Sequence, residues 1–302
     1  MVIQPPSLKK GDTIAIASPA GHMERAHTLS CIATLEQWGF RVVVGDRVGS
    51  DSTDYFSGTD EERCAELQRF LDDPHIKGIL CARGGYGTSR IIDRLHFKRF
   101  RRHPKWIIGF SDVTVLHCHI YTRYGIATLH GPMAAAFLPE RSYPDHLLSL
   151  KYALEGRKNS YQVEPHPFNR KGVAVGELVG GNLALLVHLC GTDSEPRTRG
   201  RILFIEEVGE YLYNIDRMMV QLGRCGKLDK LAGLIVGGFT DCKDTVRPLG
   251  KTAEEIIRDA VAAYDYPVCF GFPVGHGKEN VALKVGVGYK LRVSKGKADL
   301  EE

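Results

Sequence analysis

Trp106-Ile107-Ile108-Gly109-Phe110-Ser111-Asp112-Val113-Thr114-Val115-Leu116-His117 joins two apolar runs through a glycine and a serine. Trp106–Ile108 reads as a buried strand, and the run from Val113 can open a helix. Asp112 and Thr114 are the polar residues that a helix first turn favours. A serine on a tight strand-to-helix turn is lifted out of the sheet beside helix-terminal N–H groups, as in a nucleophile elbow. The usual elbow is G-x-S-x-G, whereas Val113 stands at its second glycine. The stretch therefore carries two readings: a nucleophile, or a serine that caps a helix.

Outward from this turn, strand and helix alternate. Thr13–Ala17 is a short β-type run closed by Ser18-Pro19-Ala20-Gly21, and Leu29, Ile32, Leu35 and Trp38 follow at helical spacing. Arg41–Val44 and Gly78–Ala82 read as strands, with helices over Glu61–Leu71 and from Gly87 to Leu95. Short apolar strands alternating with helices predict an α/β domain with a parallel sheet covered on both faces. Functional loops of such sheets gather at the carboxyl ends of the strands. Both Arg83-Gly84-Gly85-Tyr86-Gly87 and Gly109-Phe110-Ser111-Asp112 fall at such ends.

Beyond about residue 150 the pattern changes. The predicted division is a nucleophile domain over 1–155, a polar linker or crossing strand over 156–172, and a smaller α/β domain over 173–302. That second part holds strand-like runs at Ile202–Ile205, Leu231–Val236 and Lys290–Val293, with helices over Asn182–Cys190, Ile215–Leu222 and Thr252–Ala263.

The bulk properties narrow the function classes. The chain has 302 residues, 43% of them hydrophobic and 25% charged, which is ordinary globular composition. A net charge of +4 without a long basic run implies no nucleic-acid partner. Lys98–His103 is basic but short, and reads as a solvated loop or helix end. No signal peptide is recognised at the start, and no stretch approaches the roughly 18 apolar residues of a membrane span. The eight cysteines are scattered without a C-x-x-C pair, which suggests neither a zinc site nor a disulfide framework and fits a reducing cytoplasm.

Three further segments could carry chemistry. Glycines in Arg83–Thr88 let backbone N–H groups approach a ligand, but neither G-x-G-x-x-G nor a P-loop is present, so a donor for an oxyanion fits as well as a nucleotide. In Ile202-Leu203-Phe204-Ile205-Glu206-Glu207 an apolar strand runs into two carboxylates. Neighbouring strand residues face opposite ways, so they cannot share one partner; Glu206, at the end of the buried run, is the more constrained. His276, between Gly275 and Gly277, is a loop histidine that one hydrogen bond could hold. His117 and His119 look like a metal pair, but residues two apart on a helix point apart, so no metal is expected there.

Together these segments resemble the LD-carboxypeptidase family of serine peptidases, the S66 group. The resemblance spans Leu8–Ile16, Arg83–Gly87, Gly109–Thr114, Gly180–Leu183, Phe204–Glu210 with Ile215–Met218, and Gly275–Gly277 with Asn280, in the family's order. It implies a glutamine amidotransferase-like, flavodoxin-like first domain and a Ser111–Glu206–His276 triad. It also implies oxyanion donors at the backbone N–H of Asp112 and of the glycine loop, at Gly85. Arg83, with Gly84 and Tyr86 beside it, is the candidate site for the substrate's terminal carboxylate. Triad residues drawn from both halves of the chain predict a site between domains. The implied reaction releases terminal D-alanine from murein tetrapeptide in cytoplasmic peptidoglycan recycling, by a cofactor-free homodimer. A microcin-immunity-type peptidase cleaving acyl-adenylate-like conjugates is the alternative, although Trp38 and Trp106 both lie in core-like segments and offer no adenine-stacking insertion. A non-catalytic scaffold would lack a triad member. A glutamine amidotransferase-like enzyme would carry cysteine at the elbow.

Overall fold

The computed structural model describes residues 2–138 and 143–302. The chain divides into two compact units: residues up to Arg157 together with Val281–Val285, and Lys158–Asn280 together with Gly286–Glu302. Within the stretch expected as a polar linker or crossing strand over 156–172, Ser160–Val163 forms an edge strand of the second sheet.

The first unit alternates as the apolar runs dictate. Strands β1 (Thr13–Ala17), β2 (Arg41–Val44), β3 (Ile76–Cys81), β4 (Trp106–Gly109) and β5 (Thr128–His130) are interleaved with helices α1 (Leu29–Gln37), α2 (Asp60–Asp72), α3 (Thr88–Ile91), α4 (Lys98–Arg102) and α5 (Thr114–Tyr124). Helix α6 (Pro144–Leu154) follows. Of the two readings of the basic run at Lys98, a solvated loop or a helix end, the helical one holds: Lys98–Arg102 is a short helix capped at His103, with its four basic side chains exposed. All five strands are parallel, in the spatial order β5-β4-β3-β1-β2. That is the flavodoxin-like order, and it reverses direction between β1 and β3. Ile14, Ile16, Ile79, Leu80, Ile107 and Ile108 are fully buried. Each such side chain contributes about 2 kcal/mol of apolar burial. Helix α2 begins with a reciprocal cap, Glu62 N–H to Thr59 Oγ1 at 3.2 Å and Thr59 N–H to Glu62 Oε2 at 2.9 Å.

Helix α5 has little amphipathic character, because Thr114 through Tyr121 are all buried. His117 lies on it with no solvent exposure and hydrogen bonds through Nε2 to the carbonyl of Gly109 at 2.8 Å. A carbonyl only accepts, so Nε2 carries the proton and donates. Burial drives the imidazole pKa down to about 4. His119 packs instead against Phe97, with ring centroids 5.2 Å apart. The two histidines therefore serve different contacts.

The second unit holds β6 (Ser160–Val163), β7 (Gly172–Asn182), α7 (Leu183–His188), β8 (Ile202–Val208), α8 (Leu212–Arg224), β9 (Gly233–Thr240), α9 (Ala253–Ala260) and β10 (Val268–Cys269). The short β11 (Leu283–Val285) returns to the first unit, where it adds an antiparallel edge to β5. Strands β12 (Gly288–Val293) and β13 (Ala298–Glu301) complete the second sheet, ordered β10-β9-β8-β7-β12-β13-β6. Its β7-to-β10 side is parallel and its β7-to-β6 side antiparallel, so this smaller unit is a mixed α/β sheet. Among the described residues all eight cysteines are free thiols, and no helix is long and apolar enough to cross a membrane.

The depressed His117 pKa makes a stability prediction. Between the ordinary value near 6.5 and about 4, the unfolded chain binds a proton that the folded chain rejects. The stabilisation is complete above pH 6.5 and declines as pH falls toward 4, by about 3 kcal/mol for this one group. Urea unfolding of the parent and of His117→Gln between pH 7.5 and 4.5 should show a steeper acid loss in the parent. Parallel losses would contradict the assignment of a buried neutral imidazole.

Candidate functional site

Strand β4 ends at Gly109, Phe110 is extended, and Ser111 takes φ 62°, in the left-handed region. A non-glycine residue there costs about 1 kcal/mol, so the surroundings must hold it. The Gly109 carbonyl accepts from His117 Nε2 and from the Gly131 N–H at 3.2 Å, anchoring the entry to the turn. On the exit side the Val113 N–H donates to the Phe110 carbonyl at 3.2 Å and starts the helical turn that leads into α5. Ser111 is part-exposed, while Asp112 and Val113 behind it are fully buried. The arrangement is a strained strand-to-helix elbow.

The glycine loop after β3 lies against this elbow because β3 and β4 are adjacent strands. A Cβ on Gly84 would stand 2.9 Å from Ser111 Cβ, 3.1 Å from its Oγ and 3.4 Å from the Asp112 nitrogen, so only glycine permits this approach. Gly85 is exposed at φ 96°. Tyr86 is also exposed and meets Phe56 at 5.7 Å between centroids. Arg83 is exposed and donates from Nη1 to the His22 carbonyl at 2.8 Å. The structure thus gathers Ser111, Asp112, Gly84 and Gly85 into one corner of the first unit. Asp112 faces inward, its Oδ2 accepting the Thr88 N–H at 2.8 Å, and burial raises its pKa against the opposing effect of that bond.

In the second unit the paired carboxylates at the end of β8 separate. Glu206 is fully buried, and its Oε2 lies 2.7 Å from Nδ1 of His276. With a carboxylate as acceptor, Nδ1 carries the proton. Gly275 makes this contact possible: at φ 132°, a Cβ there would come 3.1 Å from Glu206 Cβ and 3.2 Å from Oε2. The Gly275 N–H is held by Asn280 Oδ1 at 3.2 Å. Glu207 turns the other way. It accepts from Asn182 Nδ2 at 2.7 Å, from the Ala184 N–H at 2.8 Å and from the Val208 N–H at 2.9 Å. Burial raises its pKa, and those donors oppose the shift. Glu207 therefore secures the start of α7, while Glu206 orients an imidazole.

The chemistry available is plain. The first unit offers a hydroxyl on an elbow with backbone N–H groups around it, and the second offers an imidazole oriented by a buried carboxylate. The residues that sequence reasoning did not find are those supporting the elbow: His117 beneath Gly109, and Arg63, whose guanidinium reaches carbonyls of three separate segments. Arg63 sits in a run of charged residues, D-E-E-R, which gave no sign of burial.

Comparison with known proteins agrees with this architecture. Residues 14–131 match the LD-carboxypeptidase N-terminal domain, and residues 175–291 match the LD-carboxypeptidase C-terminal domain. The chain is 35% identical over 301 residues to the "Probable murein peptide carboxypeptidase" of Bacillus subtilis, covering 99% of this chain and 94% of that one. It is 31% identical to the murein tetrapeptide carboxypeptidase of Pseudomonas aeruginosa over 90% of this chain and 91% of that one. The solved muramoyltetrapeptide carboxypeptidase of Oxalobacter formigenes superimposes with a TM-score of 0.87 at 29% identity, covering 96% and 98% of the two chains. With both domains matched in order and similarity running the length of the chain, this protein belongs to the LD-carboxypeptidase family of serine-type peptidases.

Proposed function

We propose that the protein removes the terminal D-alanine from murein tetrapeptide, through a Ser111–His276–Glu206 triad and an acyl-enzyme. The observation that carries this reading is the buried Glu206 bonded to Nδ1 of His276, in a chain that also presents Ser111 on a left-handed elbow. With Nδ1 protonated and held, Nε2 is the nitrogen that works as base. The setting that fits this substrate is peptidoglycan recycling in the cytoplasm, with a homodimer as the working form.

The steps follow from these groups. His276 Nε2 takes the Ser111 proton as Oγ attacks the carbonyl joining the L-centre to D-alanine. Glu206 favours the resulting imidazolium. The oxyanion is received by the N–H groups of Asp112 and Gly85, which cost no reorganisation because the loop is already packed on the elbow. Collapse breaks the C–N bond, and His276 returns the proton to the leaving amine. Water, deprotonated by His276, then attacks the ester and restores Ser111. The carboxylate of D-alanine needs a cation. Arg83 supplies it: a guanidinium has five donors, and one is used on the His22 carbonyl.

Three outcomes test this reading. Incubated with tetrapeptide and followed by mass spectrometry, the parent should release D-alanine equally with and without EDTA, and Ser111→Ala should lower kcat more than about 10³-fold. Release that survives Ser111→Ala would remove the nucleophile assignment; release from acyl-adenylate conjugates alone would favour the microcin-immunity type of substrate. The adjacent glutamates should behave differently. Glu206→Gln should lower kcat by about 10²–10⁴-fold with little change in thermal stability, because it disturbs the imidazole tautomer. Glu207→Gln should retain turnover and lose about 1 kcal/mol of stability, because it weakens the bonds at the start of α7. Equal effects on turnover would refute the division of labour. Arg83→Ala should raise KM for the tetrapeptide with kcat little changed, and an unchanged KM would remove its role.

A further inference from the structure

The Gly87–Thr88 peptide is gripped on both edges by buried, oppositely charged side chains. Arg63, 1% exposed, donates from Nη1 to the Gly87 carbonyl at 3.1 Å. Asp112, fully buried, accepts the Thr88 N–H at Oδ2 at 2.8 Å. The carbonyl and the N–H of one trans peptide point in opposite directions in one plane. The cation and the carboxylate therefore hold the same peptide plane from opposite sides, with the peptide dipole aligned between them. That plane closes the glycine loop whose Gly84 rests on Ser111.

Arg63 is itself fixed. Its Nε donates to the Gly58 carbonyl at 3.2 Å, its Nη1 also to the Pro19 carbonyl, and its Nη2 pairs with Asp60. Its guanidinium lies over the Phe56 ring, 4.7 Å from the centroid. Pro19 belongs to the loop after β1, which reaches the same corner: the Gly21 N–H donates to the Gly84 carbonyl at 3.1 Å. Gly87 has to be glycine here. At φ 144°, a Cβ would stand 2.8 Å from Arg63 Nη1 and 3.1 Å from Ala20 Cα. A buried guanidinium and a buried carboxylate are each costly to desolvate, and a mere loop anchor does not require two of them. Both are accounted for if the position of this peptide has to be set closely.

We infer that Arg63 and Asp112 are positioning residues that act as one clamp on the Gly87–Thr88 peptide, setting the distance between the two oxyanion donors. Asp112 contributes twice, through its own N–H toward the oxyanion and through its carboxylate, which holds the loop that carries the Gly85 N–H. Neither side chain touches substrate. The inference rests on the proposed reading of Ser111 as nucleophile and adds to it the device that fixes the oxyanion geometry.

The test is a double-mutant cycle with Asp112→Ala, which removes the acceptor, and Arg63→Met, reading kcat and KM for D-alanine release from the tetrapeptide; Asp112→Asn, whose amide oxygen still accepts the Thr88 N–H, should recover part of the loss. A second readout is the rate at which a small fluorophosphonate labels Ser111. Each single variant should lose about 10²-fold in kcat and in labelling rate, the scale of one lost oxyanion donor, with KM changed less than about threefold. The double variant should lose no more than the worse single variant, because either change releases the same peptide. Arg63→Lys, which keeps one cationic donor, should recover part of the loss, and it takes the place of Arg63→Met in the cycle if that variant does not fold. Thermal melting checks that each variant compared is folded. Folded variants with unchanged kcat and labelling, losses that multiply in the double variant, or losses confined to KM would each overturn the clamp while leaving the nucleophile in place. A parent whose Ser111 neither turns over substrate nor takes the phosphonate would instead refute the reading of Ser111, and the catalytic role of the clamp with it.

Discussion

The left-handed conformation of Ser111, a non-glycine residue, is the constraint from which the first unit can be understood. A serine side chain is presented at the carboxyl edge of the sheet only if the chain turns within two residues of leaving β4. That turn places a non-glycine residue in a conformation costing about 1 kcal/mol. The surroundings offset the cost from several directions. Gly109 ends the strand with its carbonyl bonded to His117 and to the Gly131 N–H. Val113 starts the helical turn, and α5, buried from Thr114 through Tyr121, anchors the exit. The strand order then brings the loops after β1 and β3 against the same corner, since both strands adjoin the point where the sheet reverses direction. Fold, strain and donor placement are consequences of one another.

The second unit solves a different problem with similar means. A carboxylate that orients an imidazole has to be buried to act strongly, and a buried carboxylate needs its partner close by. Strand alternation separates Glu206 from Glu207, so one strand end supplies both an imidazole partner and a structural anchor for α7. The histidine arrives on a loop that approaches Glu206 closely because Gly275 has no side chain. Glycines thus serve the same purpose in both units: they let backbone come within van der Waals contact of a functional side chain.

The parts of this arrangement legible in the sequence are those encoded locally. Apolar runs ending in glycine gave the parallel strands of the first unit, and the order of short motifs gave the family. The carboxylate pair at the end of β8 gave two residues on opposite faces. What escaped was encoded by contact between distant segments. Strand β7 carries Gly180-Gly181 within an otherwise weak pattern, and its pairing with β8 depends on Gly180 at φ 143°, where a Cβ would collide with the Phe204 carbonyl. The three residues of β11 are too short to register as a strand, yet they rejoin the first sheet. Arg63 reads as one more charge on a polar helix, because the carbonyls that it holds come from segments around Pro19, Gly58 and Gly87. His117 could be set aside as a metal ligand by spacing, but its bond to Gly109 needed the turn to be seen.

The central claim is that Ser111 Oγ forms the covalent bond, with the oxyanion received by the glycine loop and the elbow. The most direct test is a crystal structure with a murein tripeptide whose terminal carboxyl is replaced by a boronic acid, so that boron stands where the scissile carbonyl carbon would be. The account predicts a tetrahedral boronate bonded to Ser111 Oγ. One boronate oxygen should lie within hydrogen-bond distance of the N–H groups of Asp112 and Gly85, and His276 should still be paired to Glu206 through Nδ1. A bound boronate with no bond to Ser111, or one whose oxygens point away from the glycine loop, would contradict it.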